Sequence, residues 1–168
     1  MRLAEHPKIW QSQRNQFFKP EIFKTQWLEK AWQKMQDCKR ICFVIYWQGK
    51  LVGSSSYYDI DEEHKHLSIG YTWYHPDFWG SQLNPTVKYL MLNYAFEELR
   101  MHRVAFTVDH ENFRSQAALT KLGIAKEGIL RKHMIRADGS HRDTVVFAVT
   151  SDDWPTVKST LLDKLDYE

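Results

Sequence analysis

The segment from residue 67 to residue 108 constrains the fold of this chain more than any other part. Its pattern predicts a strand over 67–74, a loop, a long amphipathic helix over 84–100 and a second strand over 103–108. A strand, a crossover helix and a strand predict two adjacent parallel strands, joined right-handedly. Ligands bind in such sheets beyond the carboxyl ends of the strands. The loop before the helix is therefore the first candidate for a binding site.

The start of this helix has the chemistry of an anion site. We predict that Asn84 is its N-cap and Pro85 its first helical residue. Backbone N–H groups would then point outward at the positive end of the helix dipole, where phosphate groups bind well. The hypothesis is that a phosphate-bearing cofactor lies across the loop. The alternative is a plain capped helix after a surface turn.

The remaining elements complete a layered pattern. Helical periodicity is found over 21–36, 114–122 and from Ser151 onward, and strand patterns over 40–47, 51–60, 124–131 or beyond, and 143–149. Turn residues at Gly49 and Gly139 predict two hairpins. The order of helices and strands indicates an α/β or α+β layer rather than a bundle or a sandwich. With no linker in the sequence, residues 1–168 are predicted to form a single domain.

Composition excludes several classes of protein. Cys38 and Cys42 are the only cysteines, and no Cys or His cluster has zinc spacing, so we expect neither a disulfide nor a metal. No apolar run reaches the roughly 18 residues of a membrane span, and the N-terminus has no signal-peptide pattern. These features predict a cytoplasmic protein without a membrane partner. A net charge of +2 is too small to indicate nucleic acid.

The order of elements and several motifs together resemble the GNAT superfamily of acetyl-CoA-dependent N-acetyltransferases. Within it, the chain is most similar to the branch of ribosomal-protein N-terminal serine/alanine acetyltransferases. The motifs span about residues 40–155 and are Ile69-Gly70-Tyr71-Thr72-Trp73, Trp79-Gly80, Tyr94-Ala95-Phe96-Glu97-Glu98-Leu99, His102-Arg103-Val104, Asn112-Phe113-Arg114-Ser115, Leu122-Gly123, Glu127-Gly128-Ile129-Leu130-Arg131 and Arg142-Asp143-Thr144. Each motif is weak alone, but their order and spacing are fairly specific.

The resemblance implies a mixed α/β fold with a central twisted sheet of about six strands and helices on both faces. Members of this branch begin with a strand ahead of anything like residues 10–36, so the N-terminal strand is expected to be missing here. A missing strand leaves an open edge that a partner chain, as in a homodimer, or an N-terminal segment has to cover.

The resemblance also implies a site for acetyl-CoA. Its cofactor-binding residues would be Thr72, Trp73, Trp79, Gly80, Ser81, Gln82, Leu83, Asn84, Lys88, Asn112 and Ser115. The superfamily's pyrophosphate loop reads Gln/Arg-x-x-Gly-x-Gly/Ala, and here Gln82 and Asn84 occupy the two positions of small residues. We interpret this as a variant loop to which Lys88 adds charge. Trp73 has the alternative role of a core residue, and Asn112 that of a helix cap.

Catalysis requires groups that manage protons. Ser115 is predicted to donate a proton to the departing thiolate, because a thiol of pKa about 8.5 leaves better when its charge is stabilised. The attacking amine must be neutral, so a general base or a water chain is expected. Related ribosomal-protein enzymes use a glutamate, but the register from Glu127 places Met134 there. His133 is the predicted substitute, since its ordinary pKa lies near the operating pH. The other candidates are Asp109, His110 and Glu111.

The sequence thus predicts an enzyme that moves an acetyl group from acetyl-CoA to a primary amine by direct attack in a ternary complex. The acceptor is a protein N-terminus or a small amine such as a polyamine, an amino acid or an antibiotic, and fold analogy does not choose between them. The altered loop and the missing glutamate leave the alternative of a non-catalytic acyl-CoA-binding or sensor module open. A third alternative is an interaction protein that has lost the cofactor.

Overall fold

The computed structural model describes residues 2–11, 17–136 and 138–165. Near the N-terminus, a 3-10 turn (Arg2–Glu5) leads into helix α1 (Pro7–Trp10). A longer helical segment follows, made of α2 (Pro20–Ile22), a π-helical stretch (Phe23–Leu28) and α3 (Glu29–Gln36). Proline at the first position of α2 suits a helix start, because its missing N–H would have no partner there. The helix predicted over 21–36 is confirmed.

Six strands form one mixed sheet in the order β1-β2-β3-β4-β6-β5. They are β1 (Arg40–Trp47), β2 (Lys50–Asp61), β3 (His66–Tyr74), β4 (Arg103–Asp109), β5 (Ala125–Ile135) and β6 (His141–Thr150). All neighbouring strands are antiparallel except β3 and β4, which are parallel. The predicted number of strands and the predicted parallel pair are therefore confirmed.

The crossover between β3 and β4 is α4 (Leu83–Asn93), extended by a π-helical turn (Tyr94–Glu98). The other helices are α5 (Phe113–Lys121), which follows β4, and α6 (Trp154–Leu165), which follows β6. Within the described residues, no helix is long and apolar enough to cross a membrane.

Two apolar clusters pack on opposite faces of the sheet. The larger one joins the sheet to α4 and α6, with Leu92, Val104 and Leu161 completely buried. The smaller one joins the N-terminal helices through Trp10 and Trp27, and Trp73 of β3 packs against it. Successive side chains of a strand point to opposite faces, so Thr72, next to Trp73, faces α4 instead. Helices therefore cover both faces, as predicted.

One of the two edge strands of the sheet is β1. Among the described residues ahead of it, 2–11 and 17–39, no strand precedes β1. Its exposed side chains include Ile41, Val44 and Tyr46. A groove of about 290 Å³ separates β1 from α4, lined by Phe43, Leu83 and Leu90 among others. This groove lies beside the edge strand and is distinct from the gap described next.

Candidate active site

The parallel strands β3 and β4 stay together for only three pairs of residues, the last of which joins Ser68 to Ala105. Beyond that pair, β3 continues to Tyr74 and β4 to Asp109, each paired only with its outer neighbour, β2 or β6. We call the gap between these two unpaired halves the divergence. Because all residues of both strands are described, the divergence leaves backbone groups of β3 and β4 without a strand partner on the inner side.

A bulge in β3 contributes to this separation. Trp73 pairs with Ser54 and Gly70 with Ser56, so Tyr71 and Thr72 both lie opposite Ser55. Tyr71 has a φ of 52°, a left-handed conformation that bulky residues adopt only at some cost. The extra residue bends β3 and redirects the side chains after it.

The loop before α4 differs in detail from its prediction. Helix α4 begins at Leu83, with Gln82 at the N-cap position, so the prediction that Asn84 is the N-cap is wrong. The Ser81 hydroxyl accepts a hydrogen bond from the Leu83 N–H at 3.2 Å and so replaces a side-chain cap. Gly80 has a φ of 77°, and a Cβ there would meet nothing within 4 Å. Glycine is needed at this position for its backbone conformation.

The side chain of Gln82 does not occupy the space in front of the loop. Its Nε2 donates to the carbonyl of Lys164 at 2.7 Å, which holds the side chain against α6. A long residue at a position of small residues is therefore compatible with close approach of a ligand to the backbone. Leu83 is completely buried in the core, so only its backbone could contact a ligand. The position of the Gln82 side chain could not be predicted from the sequence, because it depends on α6, far along the chain.

The first turn of α5 lies next to this loop. The Arg114 guanidinium stacks over the Trp79 ring at 3.7 Å, and burial lowers its pKa. The Trp79 indole N–H donates to the Tyr74 carbonyl at the end of β3, which fixes the ring. Asn112 caps α5 by accepting a hydrogen bond from the Ser115 N–H at 3.2 Å. The structure thus places Trp79 and Arg114 together at the mouth of the divergence, and sequence reasoning had not selected Arg114.

The Lys88 side chain lies inside the molecule. Its Nζ donates to Thr72 Oγ1 at 3.3 Å and sits 5.2 Å from the centroid of the Phe106 ring. Thr72 Oγ1 is hydrogen-bonded to Ser55 Oγ at 2.8 Å. Burial lowers the pKa of Lys88 to about 7, and no carboxylate among the described residues offsets this effect. This differs from the expectation that Lys88 adds charge at the phosphate loop, because the ammonium is in the core between β3 and β4.

The opposite face of the divergence is lined by aromatic residues. The Tyr58 ring crosses β3 over Gly70, where an added Cβ would come within 2.7 Å of it. Its hydroxyl is hydrogen-bonded to Thr107 Oγ1 of β4 at 2.9 Å. The Tyr71 ring packs edge-on against Tyr58, and the Arg40 guanidinium lies 3.8 Å from the Tyr71 ring. Gly70 is therefore required for the passage of Tyr58.

Trp73, one of the predicted cofactor residues, belongs to the smaller apolar cluster. It contacts Trp10, Phe23 and Trp27, and its buried indole N–H has no hydrogen-bond partner among the described residues. Its position matches the alternative of a core residue.

The predicted base, His133, is not brought to the divergence. It lies exposed on β5 at the far edge of the sheet, separated from β4 by β6, and its Nδ1 is 3.1 Å from Thr144 Oγ1. Sequence reasoning followed the register of β5 and could not show that β6 inserts between β5 and β4.

The other candidate bases belong to an ion network at the end of β4. Arg136 donates to both carboxylate oxygens of Asp109 at 2.8 Å, and both side chains are buried. Burial alone would raise the pKa of Asp109, but hydrogen bonds from Arg136 and from the Glu111 N–H hold it below its ordinary value. Glu111 also lies 3.5 Å from Arg136, and His110 3.5 Å from Asp109. We interpret this network as structural, since Arg136 engages the carboxylates of both Asp109 and Glu111.

Comparisons with known proteins agree with this geometry. The model of the acetyltransferase (GNAT) domain family matches residues 2–125. A crystal structure named "putative acetyltransferase" superposes with a TM-score of 0.86 at 36% identity, covering 95% of this chain and 81% of that one. The chain belongs to the GNAT acetyltransferase domain family.

Two curated relatives carry names that refer to ribosomal proteins. The "Putative ribosomal N-acetyltransferase YdaF" of Bacillus subtilis (strain 168) is 29% identical over 110 residues, 66% of this chain and 59% of that protein. The "[Ribosomal protein uS5]-alanine N-acetyltransferase" of Escherichia coli (strain K12) is 24% identical over 155 residues, 74% of this chain and 76% of that protein. The match to YdaF thus spans less than two thirds of that relative's length.

Proposed function

We propose that this chain transfers an acetyl group from acetyl-CoA to a primary amine by direct attack in a ternary complex. The observation that carries the proposal is the divergence of β3 and β4, with the α4 loop and the first turn of α5 at its mouth. Unpaired strand halves offer backbone donors and acceptors to an extended ligand, and the helix start offers N–H groups to a phosphate.

The residues at the mouth fit the two chemical parts of acetyl-CoA. Gly80 and Ser81 present backbone at the positive end of α4, and Gln82 is turned away against α6. Arg114 supplies a permanent cation beside the loop, which suits the phosphates better than the buried Lys88 does. Backbone groups of Thr72 and its neighbours would hold the extended pantetheine arm. Acetyl-CoA supplies an activated thioester, and the protein has to position it.

The described residues also fit the requirements of acyl transfer. Backbone N–H groups of the unpaired half of β3 would stabilise the oxyanion that forms on attack. Holding the two reactants in the divergence would convert a bimolecular encounter into an effectively unimolecular step. Ser115, in the first turn of α5, remains our candidate donor to the thiolate. His133 is no longer a candidate for direct contact with the reacting atoms, because β6 separates its strand from the divergence.

For the acceptor, we propose the α-amine of a protein N-terminus. The names of the two curated relatives support this choice, and so does the ionisation of the amine: an α-amine with a pKa of about 8 is far less protonated at neutral pH than a lysine-like amine. The aromatic wall of Tyr58 and Tyr71, on the face opposite α4, would contact the acceptor's first side chains.

Release of free CoA from acetyl-CoA would test the proposal. We expect sustained turnover with short peptides that begin with Ser or Ala and contain an internal lysine. The same peptides with a blocked N-terminus are the matched control and should give no turnover. Turnover of spermidine but of no peptide would overturn the proposed acceptor and keep the proposed reaction.

Binding of CoA separates the enzyme from its alternatives. A ligand at 100 times its Kd should stabilise the native state by about 2.7 kcal/mol, which appears as a higher Tm. Absence of any shift at saturating CoA would overturn the cofactor assignment. A clear shift without turnover of the peptides, spermidine or any other primary amine tested would favour the acyl-CoA sensor module instead.

A further inference from the structure

The resemblance places a glutamate general base at the position that Met134 occupies in this chain, so that base is missing here. The structure offers a different group. The only hydrogen-bond partner that the described residues give to Lys88 Nζ is Thr72 Oγ1, at 3.3 Å, and the residue is 5% exposed. No carboxylate of the described chain forms an ion pair with it. A lysine without a counter-ion in such a place costs stability, and sites that keep such groups are commonly functional.

The position of this amine within the sheet is as informative as its burial. Thr72 belongs to the unpaired half of β3, beyond Ser68, and Phe106 is the first residue of β4 beyond the last pair at Ala105. Nζ contacts both residues, so it bridges the unpaired halves of β3 and β4. On the far side of Thr72, the Ser55 hydroxyl completes a line of three hydrogen-bonding groups.

We propose that Lys88, Thr72 and Ser55 form a buried proton relay in which Lys88 is the terminal proton acceptor for the acetyl transfer. The proposal rests on the proposed function. Thr72 is the only one of the three that is partly exposed, so its hydroxyl is the one that an amine entering the divergence would meet, and Lys88 is a positioning residue that acts through it. Ser55 orients the Thr72 hydroxyl.

The relay balances the protons of the reaction. The amine nitrogen forms its bond to the acetyl carbon, the carbon–sulfur bond breaks, and the sulfur leaves as thiolate. The nitrogen passes its proton to Thr72 Oγ1 while Thr72 passes its own to the neutral Lys88 Nζ. Ser115, the proposed donor, gives its proton to the thiolate, which leaves as CoA thiol. Solvent then replaces the proton of Ser115 and takes up the one held by the Lys88 ammonium, through the Thr72 hydroxyl, so both groups return to their starting states. No oxidant, reductant or further reactant is needed.

The surroundings of Lys88 favour the neutral form that this step requires. Burial lowers its pKa to about 7, so about half of the amines can accept a proton at neutral pH. Among the described residues, the other buried titratable groups of the same core are the phenols of Tyr57 on β2, whose hydroxyl donates to the Met91 carbonyl, and Tyr74 on β3. Burial raises the pKa of both phenols, so neither carries charge at neutral pH.

The first test needs no substrate. In the protein alone, the side-chain nitrogen of Lys88 is titrated by NMR with isotope-labelled lysine, and the Lys88→Arg variant assigns the resonance. We expect a midpoint near pH 7. A midpoint near 10.5, the ordinary value for lysine, would overturn the relay, because the amine would be protonated at every working pH.

The second test is the pH dependence of kcat/KM with a peptide acceptor. The wild-type kcat/KM should rise as Lys88 loses its proton near pH 7. Lys88→Met should lower kcat/KM by about 10²- to 10⁴-fold and remove that limb, leaving only the rise that the peptide α-amine causes near pH 8. Thr72→Ser should keep both the limb and most of the rate, and Thr72→Val should lose both. Lys158→Met is the control and should behave as wild type, because Lys158 lies on α6 and is paired with Glu97.

The outcomes separate the two proposals. Turnover by the wild type with an unchanged rate and pH limb in Lys88→Met overturns the relay and leaves the proposed function standing. No turnover by the wild type with any amine overturns the proposed function and the relay with it. If Lys88→Met does not fold, which circular dichroism would show, the Thr72→Val and Thr72→Ser pair decides the question.

Discussion

The two sides of β4 differ in whether a buried charge has an oppositely charged partner among the described residues. On the β6 side, pairing continues from Arg103 to Asp109, and the buried Asp109 is neutralised by two hydrogen bonds from Arg136. On the β3 side, pairing ends at Ala105, and the only hydrogen-bond partner of the buried Lys88 among the described residues is the Thr72 hydroxyl. A paired charge is compatible with a rigid structural role. An unpaired charge at an opening between strands is a cost that a function can explain.

The largest effect is expected where the buried charge is paired. Arg136→Met should lower the free energy of unfolding by about 3–5 kcal/mol, because it removes both guanidinium hydrogen bonds to the buried Asp109 carboxylate and leaves it only the more distant Arg142 at 3.8 Å and the Glu111 N–H. The measurement is urea denaturation at neutral pH. Arg131→Met, which changes an exposed arginine on β5, is the control and should cost less than about 0.5 kcal/mol.

The same pair has a signature in acid. The folded pKa of Asp109 lies below its unfolded value of 3.8, so its ionisation stabilises the protein above that pH, and the contribution is lost as the pH falls through the folded pKa. Arg136→Met should remove much of this dependence. An Arg136→Met protein with wild-type stability and wild-type acid sensitivity would show that the network is not structural.

A change of the unpaired charge should have the opposite sign. Lys88→Met should raise the free energy of unfolding by about 1–4 kcal/mol at pH 6, because an apolar chain of similar length replaces a buried ammonium. The folded pKa of Lys88 is about 7 and the ordinary one 10.5, so the unfolded chain binds more protons between these values. Wild-type stability therefore rises with pH in this window, and the advantage of Lys88→Met shrinks there.

Denaturation at pH 6, 7.5 and 9 measures this trend. Destabilisation by Lys88→Met at all three values would mean that Lys88 contributes to stability as Arg136 does, and the contrast between the two sides of β4 would fail. Lys158→Met again serves as the control, because its partner Glu97 is partly exposed and the change should be small and nearly constant with pH.

Local elements and contacts between distant residues differ in how well the sequence predicts them. The parallel pair, the crossover helix and the six strands follow from local periodicity, which the residues of each element carry themselves. The loop at Gly80 and the cap at Asn112 were also readable, because both depend on near neighbours in the chain. The family membership followed from the order of such local motifs.

What the sequence could not predict depends on residues far apart in the chain. The burial of Lys88 needs Thr72 and Phe106 on two separate strands, and the amphipathic pattern of α4 gave the lysine no special place. Gln82 is explained only by the Lys164 carbonyl, 82 residues later. His133 was selected from the register of one strand, whereas its distance from the divergence is set by the insertion of β6.

A moderate effect is expected from filling the space that Tyr58 uses to cross the divergence. Gly70→Ala should cost about 1–3 kcal/mol, because the new methyl group comes within 2.7 Å of the Tyr58 ring and the backbone beneath it cannot move freely. Gly128→Ala is the matched control on β5, where an added Cβ meets nothing within 4 Å. Urea denaturation measures both.

The same substitution sharpens the comparison between the two sides of β4. Displacement of Tyr58 should break its hydrogen bond to Thr107 and alter the β3 side alone. The turnover of a peptide acceptor should therefore fall even under conditions in which the Gly70→Ala protein is fully folded. Equal losses for Gly70→Ala and Gly128→Ala would show that the passage of Tyr58 over β3 is not what requires glycine.

The smallest effect on stability is expected at the mouth of the divergence. Arg114→Met removes the stack on Trp79 and should cost only about 0.5–1 kcal/mol, the usual worth of a partly exposed cation–π contact.

The effect of Arg114→Met on CoA binding should be larger, because a permanent cation near the phosphates is lost. Isothermal titration at low and high salt should show weaker binding by Arg114→Met and a smaller loss of affinity with salt than in the wild type. Arg114→Lys should keep the salt dependence but lose the stack, and unchanged CoA affinity in Arg114→Met at both salt concentrations would remove Arg114 from the site.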